Sequence, residues 1–228
     1  MLGLLYDVHG NLAALDAVLA DARAQGVSAF LLGGDYALFG PQPVATLARL
    51  QELDATWIRG NGERWTARPA DAPEDEVVQG AIRASREELG EGLLGELAAL
   101  PEQYVTGDAR YCHGSPPSDV RSFFPEPAAD EAELLAGIGE DRLVFGHTHL
   151  QFRRRSGEGG IELVNPGSVG MPFDGDPRAG YALVGGDGEI ELRRVPYDHA
   201  ASAAAVRDRF PQFGETVARR IEAASFDV

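Results

Sequence analysis

The 228-residue chain has no lysine, one cysteine and two methionines. A lone Cys112 has no partner within the chain, so a disulfide-stapled scaffold is excluded and a reducing, cytoplasmic location is expected. On its predicted strand Cys112 reads as a small core residue. No apolar run approaches the roughly 18 residues of a membrane span, and the first apolar stretch opens at Leu2 with no charged leader before it. Neither a spanning nor a secreted protein is expected. Positive charge is scarce as well: 20 basic residues, all arginine, face 36 acidic ones, giving a formal net charge of −16. That field repels polyphosphate backbones and argues against generic nucleic-acid binding. An all-arginine set suits phosphate forks, although coding bias across a genome accounts for it more simply. No repeat or low-complexity linker interrupts the chain.

Glycine is in excess, at 28 residues, well above the usual ~7%. Loops are therefore numerous and tight. The length supports one domain, residues 1–228, able to bury a sizeable core. Hydrophobic periodicity predicts a strand at Leu2–Tyr6, a polar loop Asp7-Val8-His9-Gly10-Asn11, and a helix carrying Leu12, Leu15, Val18, Leu19 and Ala22. Asn11 suits its N-cap and Gly26 its stop. A second strand, Ala29–Leu32, ends at Gly33-Gly34-Asp35, and a helix over Pro43–Leu53 leads to Thr56-Trp57-Ile58 and Gly60-Asn61. Residues 64–100 read as a helical insertion. Strand signals return at Arg110–Cys112, Leu143–Phe145, Ile161–Val164, Tyr181–Val184 and Ile190–Val195, the last two joined by a Gly-Gly-Asp-Gly turn. A helical segment on the outside is expected over about 200–228.

Five successive strand ends then carry Asp7 and His9, Asp35, Asn61, His113, and His147 with His149. Four of the five histidines lie in these loops; His199 alone falls elsewhere. In open α/β sheets sites assemble at the carboxyl ends of strands, so these seven side chains can converge across the chain. Mixed imidazole and carboxylate donors suit Mn, Fe or Zn better than Ca or Mg, and seven donors exceed what one ion uses. Two ions roughly 3.5–4 Å apart can clamp a phosphoryl oxygen and acidify a water, so phosphoester hydrolysis follows.

Through Asp7-Val8-His9-Gly10-Asn11, Gly34-Asp35, Gly60-Asn61, His113-Gly114 and Gly146-His147-Thr148-His149 the sequence resembles the calcineurin-like metallophosphoesterases, over nearly the whole chain. Gly40-Pro41, His113-Gly114-Ser115-Pro116 and Asn165-Pro166-Gly167-Ser168 are similar to small bacterial and archaeal phosphodiesterase-type members. The resemblance implies an α/β fold, a four-layer α/β/β/α sandwich of two mixed sheets with the metals at one edge. It implies that Asp35 bridges two divalent transition-metal ions, Mn2+ ahead of Fe, Zn or Ni. Asp7, His9 and His149 would complete the first site, and Asn61, His113 and His147 the second. A metal-bridging hydroxide would attack phosphorus in line, Asp35, Asn61 and His113 forming the catalytic heart.

Many members of that family carry His directly after the motif Asn; here the position is Gly62, with Glu63 retained. Leaving-group protonation, worth ~10²–10⁴-fold, must then be dispensable or come from elsewhere, such as His199. Activated substrates such as aryl phosphates or cyclic and aryl diesters are expected over alkyl monoesters. Asn11, Arg64 and Ser168 are candidate substrate contacts, against the plainer readings of helix cap, surface ion pair and turn residue. Arg59 also reads as a surface ion pair, and Arg153-Arg154-Arg155 as a solvated strand edge. The expected partner is a small phosphate ester or nucleotide, with no membrane and no inference on oligomeric state. The rival functions are a non-catalytic metal-binding interaction module on the same fold, and a protein phosphatase.

Overall fold

The computed structural model describes residues 1–157 and 160–228. Their order is β1 (Leu2–Leu5), α1 (Leu12–Ala24), β2 (Ala29–Leu32), α2 (Pro43–Gln51), β3 (Ala55–Trp57), α3 (Asn61–Ala67) and, after a 3-10 turn, α4 (Glu76–Ala98). Then come β4 (Gln103–Thr106), β5 (Ala109–Cys112), α5 (Glu131–Leu134), β6 (Arg142–Val144), β7 (Phe152–Arg155) and β8 (Glu162–Asn165). The chain closes with β9 (Ala179–Val184), β10 (Ile190–Val195), α6 (His199–Arg209) and α7 (Gly214–Ala223).

The strands form two mixed five-stranded sheets, ordered β10-β9-β1-β2-β3 and β4-β5-β6-β8-β7. Period-two alternation stacks them. Leu4, Tyr6, Leu31 and Ile58 of the first sheet meet Tyr111, Val144 and Val164 of the second in one buried cluster. The opposite phase of the first sheet, Leu5, Phe30 and Leu32, packs under Leu15, Val18 and Leu19 of α1. On the second sheet the opposite phase, Cys112, Leu143 and Leu163, is covered by Phe123, Leu134 and Phe145. The outer layer there is thin, because its only helix among the described residues, α5, is four residues long. A fully buried leucine such as Leu31 contributes about 2 kcal/mol by burial, and truncating it to alanine costs about 2–5 kcal/mol once the cavity is included.

β4 and β7 are sheet edges with partly or fully exposed side chains, so neither reads as a buried apolar run, and β4 escapes the sequence patterns. The arginine run of β7 is the solvated edge expected of it. The larger departure is Asn61, placed by periodicity in a loop after β3 but found as the first residue of α3. Glu63, three residues after Gly60, accepts the Gly60 N–H through Oε2 at 2.8 Å, which starts the helix one turn early. In α4, Gly90 (φ 70°, ψ 157°) breaks the helix. The helices α6 and α7 pack through Val206, Val217 and Ile221 against Met171, with Phe39 and Phe173 alongside, and so border the loops that follow β1 and β2. No described helix is long and apolar enough to cross a membrane.

Candidate metal centre

All seven residues singled out from the strand ends gather at one edge of the two sheets. Asp7, Asp35, His9, Asn61, His113 and His149 are buried, and His147 is half-buried. Five of the seven hold left-handed backbone: Asp7 (φ 55°), His9 (50°), Asp35 (56°), His147 (67°) and His149 (59°). Such conformations cost of order 1–3 kcal/mol each and persist where surrounding contacts over-determine them. Here Asp7, His9 and Gly10 donate N–H groups to the Gly34, Asp35 and Tyr36 carbonyls, lacing the first two loops together. Two glycines permit the crowding: a Cβ on Gly60 would lie 2.3 Å from Asp35 Oδ1, and one on Gly146 would lie 2.5 Å from Asp7 Oδ2.

The imidazoles are locked from behind. Nδ1 of His9, His113 and His149 faces the carbonyl oxygens of Leu38, Gly33 and Met171 at 3.0, 2.9 and 2.6 Å. A carbonyl only accepts, so each Nδ1 carries a proton and each ring turns its Nε2 inward. His9 Nε2 and His149 Nε2 then face each other at 3.0 Å. Burial, followed by the charge of His149, pushes His9 down to about 3. Asp7 Oδ1 is buried with no hydrogen-bond partner, 3.4 Å from His149 Nε2 and 3.9 Å from both His9 Nε2 and His113 Nε2. Asp35 splits its oxygens: Oδ2 lies 3.9 Å from His9 Nε2, and Oδ1 lies 3.5 Å from His113 Nε2. Asn61 Oδ1 sits 2.9 Å from His113 Nε2 and 2.8 Å from His147 Nδ1. Turned over, its amide would meet three acceptors with two protons.

An unpartnered buried carboxylate oxygen among converging ring nitrogens is an arrangement that a cation resolves. Two overlapping donor groups, Asp7–His9–His149 and Asp7–Asp35–His113, have ligand atoms close enough to share an ion, and Asn61 and His147 flank the second. The electrostatics agree. Burial pushes Asp35 up to about 7 with help from Glu63 and Asp7, against the opposing pull of His113. Burial works to raise Asp7 too, but His149, His113 and His9 hold it below the usual carboxylate range. His113 is raised because Asp35 and Asp7 outweigh its burial. Burial, and then His113, brings His147 down to about 3.

Residues 1–188 match the model of the calcineurin-like phosphoesterase superfamily domain. The chain belongs to that superfamily. An uncharacterised protein of Methanocaldococcus jannaschii is 28% identical to this chain over 237 residues, 93% of this chain and 95% of that one. A metallophosphoesterase from Sphaerobacter thermophilus, 28% identical, superposes with a TM-score of 0.83 over 98% of both chains. A hypothetical protein from Pyrococcus horikoshii OT3 shares the fold at 18% identity, with a TM-score of 0.83 over 97% of this chain and 98% of that one. Membership supports hydrolase activity, and the donor set of this phosphoesterase suits divalent metal ions.

Around this core the three candidate substrate contacts have other work. Asn11 caps α1 by accepting the Ala14 N–H at 3.2 Å, accepts the Ser202 hydroxyl at 3.1 Å, and donates to the Gly170 carbonyl at 2.9 Å and the Tyr197 hydroxyl at 3.3 Å. Its amide has no capacity left. Ser168 is fully buried; its hydroxyl donates to the Asp7 carbonyl at 2.7 Å and accepts the Met171 N–H at 2.8 Å. It holds the backbone under two of the converging residues and lies out of reach of a substrate. Arg64 forms a two-pronged pair with Asp119, both contacts 2.7 Å. That is the ion-pair reading, at the margin of the site. His199 opens α6, its ring 6.2 Å from that of Tyr197, and no hydrogen bond joins it to the seven among the described residues.

Other residues of the phosphoesterase matter beyond those expected. Glu63 Oε2 accepts the Asp35 N–H at 2.9 Å and Oε1 accepts the Tyr36 N–H at 2.9 Å, so one carboxylate sets both the Asp35 loop and the start of α3. The Gly60-to-Glu63 spacing was the available signal. The Gly62 N–H donates to Asp35 Oδ1 at 2.6 Å, and Phe173 stacks on His149 with ring centroids 4.4 Å apart. Neither contact leaves a local trace in the sequence.

Proposed function

We propose that the chain, taken as a single metallophosphoesterase domain, is a dinuclear metal-dependent phosphoesterase that hydrolyses a phosphodiester or phosphomonoester of a small molecule or nucleotide in the cytoplasm. The observation that carries the reading is Asp7 Oδ1, buried and without a hydrogen-bond partner among the Nε2 atoms of three imidazoles whose Nδ1 atoms are held by carbonyls behind them. Asp7, His9 and His149 would hold one cation and Asn61, His113 and His147 the other, with Asp35 reaching both. When bound, two divalent ions, Mn2+ ahead of Fe, Zn or Ni, supply Lewis acidity and the activated water that attacks phosphorus.

The protein's own contribution is orientation. The Leu38, Gly33 and Met171 carbonyls fix three rings and raise the basicity of their inward nitrogens. Glu63 holds the Asp35 backbone N–H, and the Gly62 N–H fixes Asp35 Oδ1. Phe39 and Phe173, against His9 and His149, wall the first group off from water. Position 62 is a glycine with no side chain, and its backbone N–H is committed to Asp35 Oδ1, so this residue delivers no proton to a leaving group. Activated esters are therefore the expected substrates.

The test is metal analysis beside kinetics. Purified protein loaded with Mn2+ should hold two ions per chain and release nitrophenol from bis(p-nitrophenyl) phosphate. A single bound ion, or silence on that ester and a broad phosphate-ester panel, overturns the proposal.

A further inference from the structure

Beside His113 lies a cavity of about 270 Å³, walled by the loop from Ser115 to Val120 on one side and by Arg59 and Arg64 on the other. Engineered apolar cavities of roughly 150 Å³ accept a benzene ring, so an aromatic group fits here. The loop is pre-formed. Ser115 and Ser118 exchange backbone hydrogen bonds at 2.7 and 3.1 Å, and Gln103 Nε2 donates to the Pro116 carbonyl at 2.7 Å. Pro116, Pro117 and Val120 supply stiff apolar surface to an occupant, with little freedom left to lose.

Charge on the walls is internally cancelled. The two guanidiniums, Arg59 and Arg64, are paired with the two carboxylates, Glu102 and Asp119, and all four line the cavity. Arg64 also has Asp71 at 3.4 Å, and Arg59 donates to the Ala98 carbonyl. A second phosphate or carboxylate would compete with the carboxylates that Arg59 and Arg64 already hold, and the net charge of −16 opposes further anionic groups.

We propose that this cavity is a subsite for an uncharged, flat organic group of the phosphate ester, and that it discriminates against esters whose organic arm carries further negative charge. The inference rests on the phosphoesterase reading, since it places the reacting phosphate at the metal centre that His113 joins to the cavity.

The experiment is calorimetric binding of three non-hydrolysable anions to the full-length, Mn2+-loaded protein: methylphosphonate, phenylphosphonate and 4-carboxyphenylphosphonate. Phenylphosphonate is expected to bind about tenfold tighter than methylphosphonate, and the added carboxylate should bring affinity back to within about twofold of the methyl compound. Val120→Asp and Val120→Trp, one adding charge and the other bulk, should each cut the phenyl-to-methyl ratio below about threefold. The ratio is internal to each variant, so partial unfolding leaves it readable. A wild-type ratio within about twofold, an equally tight 4-carboxyphenyl compound, or a ratio untouched by both substitutions overturns the subsite while leaving the phosphoesterase reading intact. Protein that holds Mn2+ but binds none of the three overturns both.

Discussion

Replacing Ser168 with alanine separates two roles for a residue that sequence motifs place beside the substrate. In the structure its hydroxyl is sealed, donating to the Asp7 carbonyl at 2.7 Å and accepting the Met171 N–H at 2.8 Å. Alanine leaves the Met171 N–H buried without a partner, while the Asp7 carbonyl keeps the Gly170 N–H at 3.0 Å, and full burial keeps replacement water out. One orphaned group costs about 1–3 kcal/mol. For a chain of this length that lowers Tm by about 2–12 °C. The same change loosens the centre twice, because Asp7 contributes the orphan oxygen and the Met171 carbonyl orients His149 at 2.6 Å. Mn2+ affinity should fall about 10–100-fold, as for other residues that orient ligands from behind. Thermal melts of metal-free protein and calorimetric Mn2+ titration measure the two effects. A melt within about 2 °C of wild type together with unchanged Mn2+ affinity refutes the positioning role. A rise in KM as the sole change would restore the substrate contact.

Asp35→Asn should reduce activity further than any outer substitution, beyond about 100-fold, and lower the metal content below two ions, since both cations lose charge at once; elemental analysis with two ions retained would contradict the bridging role. With metal removed, wild-type Asp35 has a folded-state pKa raised to about 7 from 3.8, so the folded protein binds more protons than the unfolded chain between those values. Its contribution to stability is therefore present below about pH 4 and is lost as pH rises through 7. In chelator the unfolding free energy of the wild type should fall relative to that of Asp35→Asn as pH rises across that window, and a wild type that instead gains on the variant rules the assignment out. His199→Ala should change turnover by less than about twofold and stability by less than about 0.5 kcal/mol, because its ring meets Tyr197 rather than the centre; a large loss of kcat on poor leaving groups would make it the missing acid.

The short apolar run, as at Leu2–Tyr6, Ala29–Leu32 and Leu143–Phe145, was enough to find most strands, because a strand that faces two cores is apolar on both faces. It failed at β4, where an edge relaxes that demand. It also misplaced Asn61, since Glu63 starts α3 by a hydrogen bond to Gly60 that competes with the loop expected after β3.

The sequence by itself determined which donor atoms are available and in what order the strand-end loops present them, since side-chain chemistry and short-range periodicity are properties of neighbouring residues. Only the tertiary structure decided what each polar group faces. Ser168 meets Asp7 across 161 positions and Asn11 meets Ser202 across 191. A hydrogen-bond partner is fixed by distance in space, and no local pattern encodes it. That is why residues with the same motif-level claim to the substrate became a helix cap, a buried strut and half of an ion pair, while the seven strand-end residues met with their donor atoms turned inward.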